Sequence, residues 1–110
     1  MRCIYHLVPA ADWAKQAAGP YRVASLDSEG FIHCSNRDQV ARVANLFYAD
    51  QSEMVVLSIA AELLTSPLRD DDIGTGERFP HVYGPINREA IVEVTTLSRD
   101  ARGKWIFDCF

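Results

Sequence analysis

The chain is short of most features that announce a specialised class. It has three cysteines, Cys3, Cys34 and Cys109, with no two of them three apart, so no metal-type pairing is present. Their odd number and strand-like settings predict reduced thiols in a cytoplasmic protein. There is no basic excess: 11 Lys and Arg stand against 15 Asp and Glu, for a formal net charge of -4. Phosphate-backbone binding needs a basic stripe, so no nucleic-acid partner is expected. Long apolar runs are missing as well. The run from Cys3 to Val8 is interrupted by His6 and followed by Pro9 and Asp12, with only Arg2 ahead of it. Neither a signal peptide nor a membrane span is therefore expected. Repeats, low-complexity tracts and linkers are absent, and 110 residues read as a single domain, 1–110. That length buries roughly two thirds of the unfolded surface without staples.

What the chain does have is polar chemistry set in apolar surroundings. Two of its three histidines lie in Gly30-Phe31-Ile32-His33-Cys34-Ser35 and Phe79-Pro80-His81-Val82-Tyr83-Gly84-Pro85, and the third in Cys3-Ile4-Tyr5-His6-Leu7-Val8. All three sit in β-type sequence, which points to a site lined by strands.

The patterning predicts an α+β fold. Cys3 to Val8 reads as a strand. Pro9 to Ala18 reads as a short helix, with Pro at a tolerated first-turn position and Gly19-Pro20 as its stop. A short strand near Tyr21 to Ala24, the turn Asp27-Ser28-Glu29-Gly30 and a strand from Phe31 to Cys34 follow. Ser35 with Asp38 resembles a capping box for a helix that carries Val40, Val43, Ala44 and Phe47 on one stripe. Met54 to Ala60 is an apolar run without alternation, as for a central strand covered on both faces. Leu63 to Pro67 reads as a turn-like connection or a single helical turn, and the Asp70-Asp71-Asp72 and Gly74-Thr75-Gly76 stretch as loop. Ala90 to Leu97 and Lys104 to Phe110 complete the strands.

Strand geometry sorts the polar residues. Alternation places Phe31, His33 and Ser35 on one face and Ile32 and Cys34 on the other. His33 and Ser35 then have Cβ atoms roughly 7 Å apart, too far for a dyad by themselves. The plainer reading of His33, and of His6, is a core histidine donating to a backbone carbonyl, with Ser35 serving only as a helix cap. The functional reading is that separate strands bring the histidines to one cleft. His81 and Tyr83 either line that cleft or pack a turn stiffened by two prolines and a glycine. Arg78 and Arg88 flank the segment as anion contacts, or Arg78 pairs with the Asp70 to Asp72 cluster. Three histidines can hold zinc, but no His-x-His or His-x-x-x-His spacing exists and no metal is expected.

The order Ile4-Tyr5-His6-Leu7, Trp13, Gly30-Phe31-Ile32-His33-Cys34-Ser35, Gln39, Phe47-Tyr48 and Phe79-Pro80-His81-Val82-Tyr83-Gly84-Pro85-Ile86 resembles the small bacterial family called domain of unknown function 952, over about residues 3 to 97. That family is grouped with the ADP-ribosyltransferase superfamily. The resemblance implies an ADP-ribosyltransferase-like fold of split, mostly antiparallel sheets with two or three short helices, and NAD in the cleft between them. It implies that His6 contacts the ribose and His33 packs beside the nicotinamide. It also implies an acid that stabilises an oxocarbenium-like transition state. Asp71, in the Asp70-Asp71 pair, and Glu89, just before the Ala90 strand, are the two positions for that acid. The site expected is thus His6, His33, Asp71 and Glu89 as catalytic residues, with Ser35, Arg78, His81 and Tyr83 helping His6 and His33 to bind a nucleotide. The functions implied are ADP-ribose transfer from NAD or, alternatively, a non-catalytic ligand-binding or regulatory module. General-base hydrolysis through His33 or His81 is a third class, since imidazole titrates near neutrality.

Overall fold

The computed structural model describes residues 2–107. Met54–Ala60 forms β3, the centre of a sheet ordered β1-β3-β6 with β1 at Cys3–Pro9 and β6 at Ile91–Thr96, both antiparallel to it. Every residue of β3 is buried. Alternation still operates along it: Val55, Leu57 and Ile59 join one core with Ile4, Val8, Ile32, Val82 and Ile86, while Met54 and Val56 join another with Leu7, Val40, Ala44 and Trp105. Apolar side chains are demanded on both faces, which is why this run shows no polar alternation.

The second sheet is ordered β2-β5-β4, from Ile32–His33, Arg78–Val82 and Leu68–Asp72. It packs against the first core. The other core is covered by helix α3, Val40–Phe47, and by a two-stranded ribbon of β7, Ser98–Arg99, and β8, Trp105–Ile106. The result is an α+β fold with three antiparallel sheets, one main helix and several single turns. Helices α1, Ala10–Ala14, and α2, Ala24–Ser28, have five residues each. Short 3-10 turns lie at Arg37–Gln39, Ala61–Leu63 and Arg88–Ala90.

The Cys3 strand, the doubly covered Met54 strand and the Ala90 strand, observed as β6, match expectation, as do Val40, Val43 and Ala44 of the α3 stripe, whereas Phe47 is 70% exposed. Four other elements differ. Asp70, Asp71 and Asp72 lie in β4, not in a loop, because β4 is a sheet edge where each carboxylate finds its own partner. Asp70 pairs with Arg2 at 2.6 Å, Asp71 accepts from His81 at 2.9 Å, and Asp72 accepts from the N–H groups of Gly74 and Gly76 at 2.8 and 3.0 Å. The helix expected over Pro9 to Ala18 is α1 alone, since Pro9 stays paired with Met54 and closes β1. Tyr21 makes only an isolated bridge to Ile86, and the following residues coil into α2 before Gly30 turns the chain at φ 88°. Ser35 does not cap the main helix. Its backbone bridges to Tyr5, and Gln39 Oε1 accepts the Asn36 N–H at 2.8 Å in its place.

Gly84 is required by close approach. Its φ is 152°, and a Cβ there would run into the Ser66 side chain, whose hydroxyl donates to the Pro85 carbonyl at 2.7 Å. The Lys104 strand is seen as Trp105–Ile106 and stops before Phe107; the rest of its expected run to Phe110, Cys109 included, lies outside the described residues. Among the described residues, no helix is long and apolar enough to cross a membrane.

Candidate functional site

The inner face of β1 presents His6 between Ile4 and Val8. Its Nδ1 lies 2.6 Å from the carbonyl oxygen of His33 and its Nε2 lies 2.9 Å from the Tyr21 hydroxyl. A carbonyl can only accept, so Nδ1 carries the proton. The neutral ring then accepts the Tyr21 O–H at Nε2. Burial drives the His6 pKa down to about 4, against the opposing pull of the His33 carbonyl. Burial also pushes the Tyr21 hydroxyl well above its ordinary range. His6 is thus the core histidine bound to a carbonyl, and the bond it makes ties β1 to β2.

His33 and His81 are built differently. They face each other as cross-strand partners in the β2–β5 register, with ring centroids 5.2 Å apart. His33 has 55% of its side chain exposed, and its Nε2 lies 3.0 Å from Glu29, one helical turn earlier in sequence. It is therefore not a core histidine. The His81 ring is nearly covered, stacked on Phe31 at 4.1 Å, and its Nδ1 donates to Asp71 Oδ2 at 2.9 Å. The Tyr83 hydroxyl donates to the same oxygen. These two donors, Tyr83 first, hold the Asp71 carboxyl below its usual range, and the same contact raises Tyr83. Among the described residues no buried side-chain polar atom lacks a partner. Among the described residues no group bonds the His81 Nε2, so that nitrogen is not sealed from solvent.

A cleft of about 1080 Å³ runs past these groups. His6, His33, Ser35 and His81 line it, with Lys15 and Arg22 among its polar residues and Val43, Phe47, Tyr48, Ile73 and Phe79 among its apolar ones. The structure therefore gathers four of the eight expected site residues. Asp71 and Tyr83 stand behind His81 and reach the cleft only through it. Arg78 is exposed at the start of β5 and outside the lining, and Asp70 is taken by Arg2. Glu89 is exposed in the Arg88–Ala90 turn, also outside the lining. Arg88 braces the chain after α1, donating to the carbonyls of Gly19 and Ala17 at 2.6 and 2.8 Å.

Sequence reasoning overlooked Tyr21, Glu29, Lys15 and Arg22. Only Glu29 left a trace, since it precedes His33 by four residues. Tyr21 meets His6 through tertiary packing that no local pattern encodes. Among the described residues, no group of three or more His, Cys, Asp or Glu is placed to hold a metal ion.

The crystal structure of protein CC0527 from Caulobacter crescentus is similar to this chain, with 31% identity, a TM-score of 0.81, and coverage of 94% of this chain and 93% of that one. The solution NMR structure of CC0527 gives 31% identity, a TM-score of 0.77, and coverage of 94% and 91%. No curated protein matches. The family described as protein of unknown function (DUF952) matches residues 7–94, a span that contains His33 and His81 and begins one residue after His6, and the chain belongs to that family.

Proposed function

We propose that this protein is a small-molecule binding module whose cleft takes a nucleotide of the NAD type. The observation that carries the reading is the cleft itself, an open space of about 1080 Å³ that brings residues of β1, β2 and β5 together. Two separate three-stranded antiparallel sheets support an ADP-ribosyltransferase-like arrangement. Lys15 and Arg22 line the cleft together with Asp12 and Asp27, and these two cations, Arg22 also pairing with Asp27 at 3.3 Å, offer the positive charge for phosphates. The free thiols of Cys3 and Cys34 favour a reducing compartment such as the cytoplasm.

Binding is favoured over ADP-ribose transfer on two counts. Both ring nitrogens of His6 are bonded within the protein, leaving it no donor or acceptor for a ribose. Asp71 is engaged by His81 and Tyr83, and Glu89 lies outside the lining, so neither offers the carboxylate that transfer needs.

Isothermal titration calorimetry with NAD, ADP-ribose and AMP tests the reading, together with thermal unfolding, because a ligand of the native state raises the apparent melting temperature. Saturable binding that weakens at least tenfold in Arg22→Ala is expected. No heat and no thermal shift with any of the three ligands overturns it, and nicotinamide release from NAD by the wild type replaces binding with transfer.

A further inference from the structure

We propose that His33 and His81 form an acid–base pair that hydrolyses a phosphodiester, a reaction that rests on the nucleotide reading only for the class of molecule brought to the cleft. The two rings are cross-strand partners with centroids 5.2 Å apart, close enough to serve one reacting group. Each is oriented by a carboxylate from a different part of the chain, His33 by Glu29 at 3.0 Å and His81 by Asp71 at 2.9 Å. Among the described residues each keeps one nitrogen without a hydrogen-bond partner, Nδ1 of His33 and Nε2 of His81. Phe31 packs against both rings, at 4.9 Å from His33 and 4.1 Å from His81, and so limits their rotation.

A pair, instead of a single histidine, points to phosphorus. In an in-line displacement the attacking and leaving oxygens lie on opposite sides of the phosphorus atom, so the proton acceptor and the proton donor must be two groups. His81 suits the base: with Nδ1–H held by Asp71, its Nε2 presents a lone pair. His33, open to solvent, suits the acid: in its doubly protonated form it donates Nε2–H to Glu29 and still carries a proton on Nδ1. Water gives a proton to His81 Nε2 as its oxygen bonds to phosphorus. The bond to the leaving oxygen breaks, and that oxygen takes a proton from His33 Nδ1. One water is consumed, a phosphomonoester and an alcohol form, and exchange with solvent returns both rings to their starting protonation. Lys15 and Arg22, in the same lining, stabilise the charge on the non-bridging oxygens. Asp71 and Glu29 are positioning residues.

The test uses the full chain with bis(p-nitrophenyl) phosphate and a panel of cyclic nucleotides. Turnover is expected, with kcat falling about 100-fold or more in His33→Gln and in His81→Gln. Asp71→Asn should lower kcat with little change in KM and shift the His81 imidazole tautomer seen by NMR, a signature that a merely structural role would not produce. His33 is exposed, so its variant reports on chemistry even where a His81 variant loses the fold. Nucleotide binding without turnover by the wild type overturns the acid–base assignment and leaves the binding reading standing. Turnover without nucleotide binding overturns that reading and keeps the pair. Turnover that survives in either folded histidine variant sinks the pair.

Discussion

His6 and the His33–His81 pair are the same residue type in adjoining parts of one cleft, yet they are opposites. His6 is buried with both nitrogens bonded, and its environment holds it neutral. His33 and His81 each have one carboxylate partner and one open nitrogen. The difference shows that a histidine in an apolar strand says little about its role until its hydrogen bonds are counted. A fully bonded ring stores stability, whereas a half-bonded ring can exchange protons or hold a ligand.

The sharpest way to break this comparison is to remove each ring in turn. His6→Ala leaves a cavity, an unpaired Tyr21 hydroxyl and an unpaired His33 carbonyl in the core. It should cost about 3 to 5 kcal/mol in urea denaturation, whereas His33→Ala should stay within about 0.5 kcal/mol. Equal losses in the two variants would erase the distinction.

Acid should separate the two regions next. The folded pKa of His6 is depressed to about 4, below its unfolded value, so between those values the unfolded chain binds more protons than the folded one. The contribution of His6 is fully present above roughly pH 6.5 and is lost as pH falls toward about 4. Stability should drop over that window by on the order of 3 kcal/mol. Urea midpoints measured across it check the sign, and a midpoint that rises with acidification contradicts it.

Tyr21→Phe removes one bond of the buried arrangement and should cost about 1 to 2 kcal/mol, with a smaller acid dependence left behind. Smallest of all is Asp71→Asn. Asp71 is about one-third exposed, so its change should alter stability little while moving the His81 imidazole resonances and leaving those of His6 in place. Movement of the His6 resonances would mean that the two regions are coupled.

Much of the fold was legible in the sequence because its signals are local. The stripe of Val40, Val43, Ala44 and Phe47 needs only helical periodicity, and the unbroken apolar run of Met54 to Ala60 implies cover on both faces. The Asp70 to Asp72 strand was hidden because propensity counts three carboxylates against a strand and cannot see Arg2, His81 or the hairpin glycines that satisfy them. The cap was placed one residue early, because Ser35 has the right chemistry but its backbone is claimed by the bridge to Tyr5, and Asn36 instead caps the Arg37–Gln39 turn that leads into the main helix.

By itself, the sequence determined the α+β class, the central strand, the main helix and the setting of its histidines in strands, since periodicity and side-chain volume carry those features along the chain. Only the tertiary structure decided which histidine does what. Tyr21 reaches His6 across 15 positions, and Asp71 reaches His81 by lying on the neighbouring strand of the same sheet. The number of free nitrogens on each ring follows from those distant partners, because an imidazole's chemistry is set by what bonds to its two nitrogens and by how far water is excluded, and neither is encoded in the residues beside it.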